Sequence, residues 1–220
     1  MNPVEHVIYK LRNTRILQYP YPHFYVNDVF PDDFYDTLVG SLPEEGYQPL
    51  AGGYKSRVAM EATDLVKDFE SEYFARHVMG MFYRHYNERF PYKGSEPKFR
   101  TEVRFIRDSE GYKIGPHTDA PNKVLSLLFY LPMDFSLFDL GTGIYVPSDG
   151  KKTCPGGPHY KFEGFEEVFR ANFLPNSCFG FWKTSNSWHA VKEISRKIRR
   201  DVMLYNIYTV PESENGDVRS

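Results

Sequence analysis

The spacing of hydrophobic and polar residues changes character once along this chain, near Lys98. Before that point apolar positions recur at helical intervals. Over residues 30–42, Phe34, Leu38 and Leu42 share one helical face, Pro31 stands near the start, and Asp32 and Asp33 fill the first turn. Over 63–90, Leu65, Phe69, Tyr73, Val78, Met81, Phe82 and Tyr86 form a second apolar face, with Thr63 as N-cap and Pro91 as the stop. After Lys98 the runs shorten to strand length, at 99–107, 113–117, 124–131, 143–146, 167–173, 178–182, 189–191 and 198–210. Turn residues separate them at 108–111, 121–122, 132–134, 149–150, 155–157 and 175–176. Many short strands at this spacing predict a sandwich or barrel. The expected architecture is α+β with a mainly β core. One domain is expected over 1–210, in which 1–97 support a core over 98–210, with a polar tail at 211–220. Residues 148–166, rich in Gly, Pro and Lys, are expected to form a surface loop beside a site mouth.

Composition narrows the class. The chain has 220 residues, 41% hydrophobic and 25% charged, which suits a soluble globular core. Its 17 Tyr and 18 Phe favour half-buried pleated surfaces. A formal net charge of −2 gives no basic excess to attract nucleic acid or an anionic membrane. With two cysteines, Cys154 and Cys178, a disulfide-stapled domain and a thiolate zinc site are both excluded. No apolar run approaches the ~20 residues of a membrane helix. Charges run through the first residues where a signal peptide would be apolar, so a cytoplasmic location is expected.

Candidate chemistry centres on GPHTDAPNK. His117 and Asp119 lie two apart at the end of a strand, so they face the same way and can share a metal ion. His189 follows in SNSWHAV, then a basic stretch SRKIRR, then the apolar strand DVMLYNIY. Two histidines and one carboxylate on one face of a metal leave the opposite coordination positions open, the arrangement of non-haem Fe(II) oxygenases. An arginine about ten residues after the second histidine can grip a carboxylate through a bidentate fork.

In that order, the stretches GYKIGPHTDAPNKVLSLLFYLP, GTGIYVP, FGFWKTSNSWHAV and RRDVMLYNIY resemble the Fe(II)- and 2-oxoglutarate-dependent dioxygenases, on the prolyl-4-hydroxylase-like branch. The resemblance covers residues 98–210. It implies a double-stranded β-helix, the cupin-like jelly roll, with N-terminal helices packed on one sheet. It implies His117, Asp119 and His189 as iron ligands. Arg200 matches the arginine that holds the far carboxylate of 2-oxoglutarate, and Arg199 is the near alternative, because a one-residue slip exchanges the two. Tyr130 matches a tyrosine that hydrogen-bonds the same carboxylate. Ser126 and Leu128 share its strand face, and Ile144 matches an apolar residue against the cosubstrate chain. Leu204 and Asn206 share the face of Arg200. Asn206 stands where some relatives have a bulky aromatic, which leaves room for substrate. The family's cosubstrate tyrosine upstream of the first histidine is absent, since Arg107 falls near that place and Tyr112 lies nearer the metal.

The implied activity couples decarboxylation of 2-oxoglutarate by dioxygen, giving succinate and CO₂, to hydroxylation of an unactivated C–H bond. The substrate is a peptidyl side chain such as proline, or a small molecule, with ascorbate as a reductant. Trp188 is a candidate pocket residue or a core aromatic. Lys123 is a candidate substrate contact or a solvated strand-start lysine. His159 sits on the 148–166 loop; His77 and His85 read as packing or surface residues, Trp182 as core, and both cysteines as free thiols. Two other functions remain open at this point. A cupin-type metal protein working as isomerase, hydrolase or sensor would leave the arginine unexplained. A non-catalytic binding module would not need all three metal ligands. Asp119 argues against a halogenase, which replaces that carboxylate to admit chloride.

Overall fold

The computed structural model describes residues 2–50 and 54–210. The tail expected at 211–220 lies outside the described residues. The chain opens with α1 (Pro3–Arg12), where the Asn2 side chain accepts hydrogen bonds from the Val4 and Glu5 amides and Val4, Val7, Ile8 and Leu11 form the buried stripe. Next come β1 (His23–Asn27), α2 (Asp32–Gly40), the two-residue β2 (Gln48–Pro49) and β3 (Arg57–Glu61). Of these, only α2 is anticipated by the sequence pattern.

The helix expected over 63–90 is in fact three pieces. A 3-10 stretch (Asp64–Glu70) precedes α3 (Glu72–Met81) and α4 (Tyr83–Arg89). Ser71 is extended (φ −63°, ψ 147°), and its side chain accepts from the Phe74 amide. It is therefore a helix start inside the expected run, whereas the expected cap, Thr63, makes no side-chain capping bond. Phe82 leaves helical geometry again (φ −103°, ψ 26°), and its buried ring packs on Phe24 and Trp182. Core packing thus overrides the helical period.

The eight strands expected after Lys98 are all present: β4 (Phe99–Ser109), β5 (Ile114–His117), β6 (Lys123–Tyr130), β7 (Gly143–Pro147), β8 (Phe165–Arg170), β9 (Ser177–Trp182), β10 (His189–Val191) and β11 (Arg199–Thr209). The largest displacement is at 167–173, observed as Phe165–Arg170. A 3-10 stretch (Phe135–Leu140) leads into β7. The strands deal themselves between two antiparallel sheets, β1-β9-β6-β11-β4-β3-β2 and β5-β10-β7-β8. Within β4–β11, the first, third, sixth and eighth strands fall in the larger sheet and the others in the smaller. That alternation is a jelly roll. The structure therefore has the expected α+β class with a β core.

Side-chain alternation sorts the larger sheet into two buried faces. Val103, Phe105, Leu125, Leu127, Met203, Tyr205 and Ile207 join Val7, Leu38, Phe74 and Val78 of the helices in one cluster. Ile106, Tyr130, Phe179, Phe181 and Val202 point the other way, with Ile144, Ala171 and Phe173. Burial on both faces explains why KVLSLLFY and DVMLYNIY read as almost continuous apolar runs. The same alternation aims Arg200, Leu204 and Asn206 between the sheets. Among the described residues, no helix is long and apolar enough to cross a membrane.

Candidate functional site

Antiparallel pairing of β10 with β5 sets His189 directly opposite His117. Asp119 follows β5 in the left-handed region (φ 63°), a conformation uncommon for a side-chain-bearing residue and tolerated best by Asp and Asn. That turn brings its Oδ1 to 3.7 Å from His117 Nε2 and 3.8 Å from His189 Nε2. One ligand atom from each residue lies within 4.8 Å of the others, so the three can hold one metal ion. His117 Nδ1 is 3.0 Å from the Gly115 carbonyl and His189 Nδ1 2.9 Å from the Ser187 carbonyl. Each Nδ1–H donates there, leaving both Nε2 lone pairs aimed at the metal position.

Electrostatics favour the same state. Burial, and His189 beside it, push His117 well below its ordinary value; burial also lowers His189. Neutral imidazoles are the metal-binding form. Burial alone would raise Asp119, but Lys123, His189 and His117 outweigh it and hold the carboxyl well below the usual range. Lys123 Nζ lies 3.2 Å from Asp119 Oδ1. Behind Oδ2 runs a polar chain. Ser126 Oγ is 3.3 Å from Asp119 Oδ2 and 2.9 Å from Asn206 Oδ1, and Asn206 Nδ2 reaches Glu102 Oε2 at 3.4 Å.

A cavity of about 290 Å³ joins this trio to Arg200. Arg200 is 1% exposed; its Nε donates to the Leu140 carbonyl at 2.7 Å and its Nη1 to Asp108 Oδ2 at 2.7 Å. Arg200 Nη2 and Thr142 Oγ1, both from residues lining the cavity, have no partner among the described residues. Buried donors are rarely left unpaired, so this pair marks a place for an anion with several acceptor oxygens. Asp108 is itself fully buried and takes a second guanidinium, with Arg57 Nε at 2.6 Å and Nη2 at 2.9 Å. One carboxylate between two arginines leaves a net positive charge facing the cavity.

Strand register separates the paired arginines. Arg200 points inward, while Arg199 points out to Glu44 at 2.6 Å and Asp201 at 2.8 Å. Ser126, Leu128, Leu204, Asn206 and Lys123 line the cavity. Tyr130 is buried behind it, with its OH accepting from the Thr142 amide at 3.1 Å and its ring centroid 5.7 Å from the Arg200 guanidinium. Ile144 pairs with His189 across the smaller sheet and packs in the inter-sheet core, outside the cavity wall. Trp188 does not reach the cavity. Its side chain turns to the opposite face of β10, packs with Tyr145, Cys154 and Ala190, and donates from Nε1 to the Lys152 carbonyl at 3.3 Å. Neighbouring strand residues alternate faces, so a tryptophan adjacent to His189 faces away from it.

The 148–166 loop does border the site. Thr118 Oγ1 donates to the Cys154 carbonyl at 2.8 Å, and the His159 ring stands 4.7 Å from that of His117. Gly156 abuts Asp119 so closely that a Cβ would collide with the Asp119 carbonyl. His77 and His85 are on the helices, with Tyr73 and Gln18 as partners, and Trp182 is core. Cys154 and Cys178 are free and buried. Residues unforeseen from sequence are Arg57, Asp108, Thr142, Glu102, Arg104 and Tyr54. The alternation in RVAME could have marked β3 and with it Arg57; nothing local marks Asp108, which reads as a turn residue.

Solved structures provide the comparison. A prolyl-4-hydroxylase from Pseudomonas putida superposes with a TM-score of 0.58 at 12% identity, covering 94% of this chain and 100% of that one. The non-heme alpha-ketoglutarate-dependent epimerase SnoN of nogalamycin biosynthesis gives 0.54 at 11%, covering 94% and 80%. The chain shares their fold. Neither a family model nor a curated protein sequence matches it.

Proposed function

We propose that this chain is an Fe(II)- and 2-oxoglutarate-dependent oxygenase that hydroxylates an unactivated C–H bond of a peptidyl or small-molecule substrate. The observation that carries the reading is a single cavity with a two-histidine, one-carboxylate trio at one part and an unpartnered, buried Arg200 Nη2 at another. A dicarboxylate with a keto group beside one carboxylate has the two ends this cavity asks for. The likeness to a prolyl-4-hydroxylase and an alpha-ketoglutarate-dependent epimerase supports the same chemistry on this fold.

His117, Asp119 and His189 would hold the metal and leave the remaining coordination positions open. Arg200 Nη2 and Thr142 Oγ1 would bind the distal carboxylate, with Tyr130 OH beside them through the Thr142 amide. Arg57 and Asp108 keep Arg200 oriented. Ile106, Leu128, Val202 and Leu204 form an apolar wall that excludes water from the reacting centre. Bound together, iron, 2-oxoglutarate and dioxygen supply the oxidative decarboxylation to succinate and CO₂ and the oxidation of the C–H bond. The protein contributes binding, orientation and exclusion of water.

The test is an anaerobic titration of metal-free protein with Fe(II) and 2-oxoglutarate, followed by visible absorption. The reading requires a weak charge-transfer band that needs both components, loss of iron binding in His189→Ala and weakened 2-oxoglutarate binding in Arg200→Ala. Iron binding without a band would replace it with a cupin-type metal protein. No tight metal binding would leave a binding module.

A further inference from the structure

The part of the cavity around Glu102 and Asn206 is polar, and its unused hydrogen-bonding capacity is one-sided. Glu102 is fully engaged: Oε2 accepts from Tyr208 OH at 3.0 Å and Asn206 Nδ2 at 3.4 Å, and Oε1 faces Arg104 Nη2 at 3.2 Å. Asn206 Oδ1 accepts from Ser126. What remains is donors. Arg104 Nε is buried and has no partner among the described residues. Lys123, whose side chain is 12% exposed, has Asp119 Oδ1 as its carboxylate partner, and that oxygen faces the two histidines and is the one a metal would take. Both side chains line the cavity.

Charge points the same way. The charged residues around the cavity include four cations, Arg57, Arg104, Lys123 and Arg200, against three carboxylates, Asp108, Asp119 and Glu102. Iron brings two positive charges and 2-oxoglutarate two negative ones, so one positive charge stays uncompensated in the loaded site. Glu61 also approaches Arg104, at 3.4 Å, but the Glu61 side chain is 80% exposed and that of Arg104 34%, so the pair is solvent-screened and offsets little of this charge; the buried part of Arg104 is its Nε. The cavity is small as well. Its 290 Å³ is at the bottom of the ~300–1,000 Å³ range for ligand pockets and has to hold the cosubstrate too.

We propose, on the footing of the oxygenase reading, that Arg104 and Lys123 form a carboxylate-binding subsite and that the substrate is a small organic acid, oxidised near its carboxylate. In this arrangement Arg104 Nε and Lys123 Nζ donate to the substrate carboxylate, and Glu102 holds the Arg104 guanidinium in place. A neutral internal residue of a peptide chain would bring no counter-charge to either cation, leaving Lys123 to Asp119 alone and the buried Arg104 Nε without a carboxylate acceptor, a cost that a carboxylate substrate avoids.

The experiment is thermal unfolding of the Fe(II)- and 2-oxoglutarate-loaded protein under anaerobic conditions, after the charge-transfer band has been verified. The probes are N-acetylproline, N-acetylleucine, phenylacetate and hexanoate, each beside its primary amide, and phenyl phosphate. An acid that stabilises the protein while its amide does not is the expected result. Arg104→Met and Lys123→Met should each weaken that acid about tenfold or more, as loss of a charged hydrogen bond requires, and Arg104→Lys should recover part of it. Metal-free unfolding of each variant separates loss of binding from loss of fold. If acids and amides act alike, if no acid stabilises, or if the methionine variants bind as the parent does, the proposal is overturned. A response to phenyl phosphate alone overturns the carboxylate in favour of a phosphate. A missing band overturns the oxygenase reading itself.

Discussion

Replacing Asp108 by Asn tests the electrostatic account of the cavity floor. The Asp108 carboxylate is fully buried and holds Arg57 through two hydrogen bonds and Arg200 through one. Asparagine keeps the shape but removes the charge, and turns an amide N–H₂ toward one guanidinium. Two buried cations then lack their shared counter-charge. Breaking a buried pair by removing one partner costs about 3–5 kcal/mol. For a chain of this size, each kcal/mol lowers the midpoint by about 2–4 °C, so the metal-free protein should unfold roughly 6–20 °C lower. Removing Arg57 in the same molecule relieves the excess charge, so Arg57→Met with Asp108→Asn should be more stable than Asp108→Asn alone, a coupling read from a double-mutant cycle. Differential scanning calorimetry of the four proteins gives both quantities. A midpoint for Asp108→Asn within about 2 °C of the parent, or a double variant less stable than the single, would refute the reasoning.

Three further outcomes follow from particular contacts. Gly156 has φ +132° and touches the Asp119 carbonyl, so Gly156→Ala should displace the metal-ligand turn and weaken Fe(II) binding by about 10–100-fold in anaerobic titration; unchanged affinity would show that the loop does not support Asp119. Arg199 pairs outside the cavity with exposed Glu44 and with buried Asp201, which keeps Arg107 as a second partner at 2.8 Å, so Arg199→Ala should shift stability by about 1 kcal/mol and leave the 2-oxoglutarate-dependent band in place, opposite to Arg200→Ala. Burial lowers the folded His23 below its ordinary 6.5 despite the hydrogen bond to the Tyr21 carbonyl. The unfolded chain therefore binds a proton that the folded chain refuses, so His23 contributes its full stability above about pH 6.5 and loses it as pH falls toward the folded value. Urea midpoints of metal-free protein at pH 7.5 and 5.5 should differ less in His23→Gln than in the parent, and equal differences would count against the assignment.

Local sequence determined a good deal of this protein. Period-two runs after Lys98 placed the eight jelly-roll strands, because alternation reports directly on which side chains face a core. His117 and Asp119 were legible as a pair from their spacing, although the left-handed turn at Asp119, rather than strand alternation, brings the carboxylate to the imidazole. The alternation of DVMLYNIY likewise favoured Arg200 over Arg199 as the arginine that faces between the sheets, which is where it lies. Helix α1 is not anticipated, although Val4, Val7, Ile8 and Leu11 carry a full amphipathic stripe behind the Asn2 cap. The break at Ser71 was also written locally, as a capping serine, yet an apolar face running past it masked the stop. Trp188 shows the limit of adjacency, since a neighbour of His189 on a strand must face the other way.

Tertiary structure alone decided the rest. Arg57 meets Asp108 because β3 pairs with β4, a contact 51 residues apart in sequence. Asp108 becomes the shared counter-ion of two arginines only because β11 lies on β4's other side. Thr142 lines the same cavity as Arg200 because it leads into β7, which lies in the opposite sheet. Arg104 and Lys123 belong to different strands, β4 and β6, separated by β11. The jelly-roll strands rest on short-range periodicity, which the sequence carries in the order of its residues, whereas His189 meets His117 only through the pairing of β10 with β5. The charge balance and unpaired donors of the cavity rest on strand pairing between distant segments, a long-range choice that no local window of residues encodes.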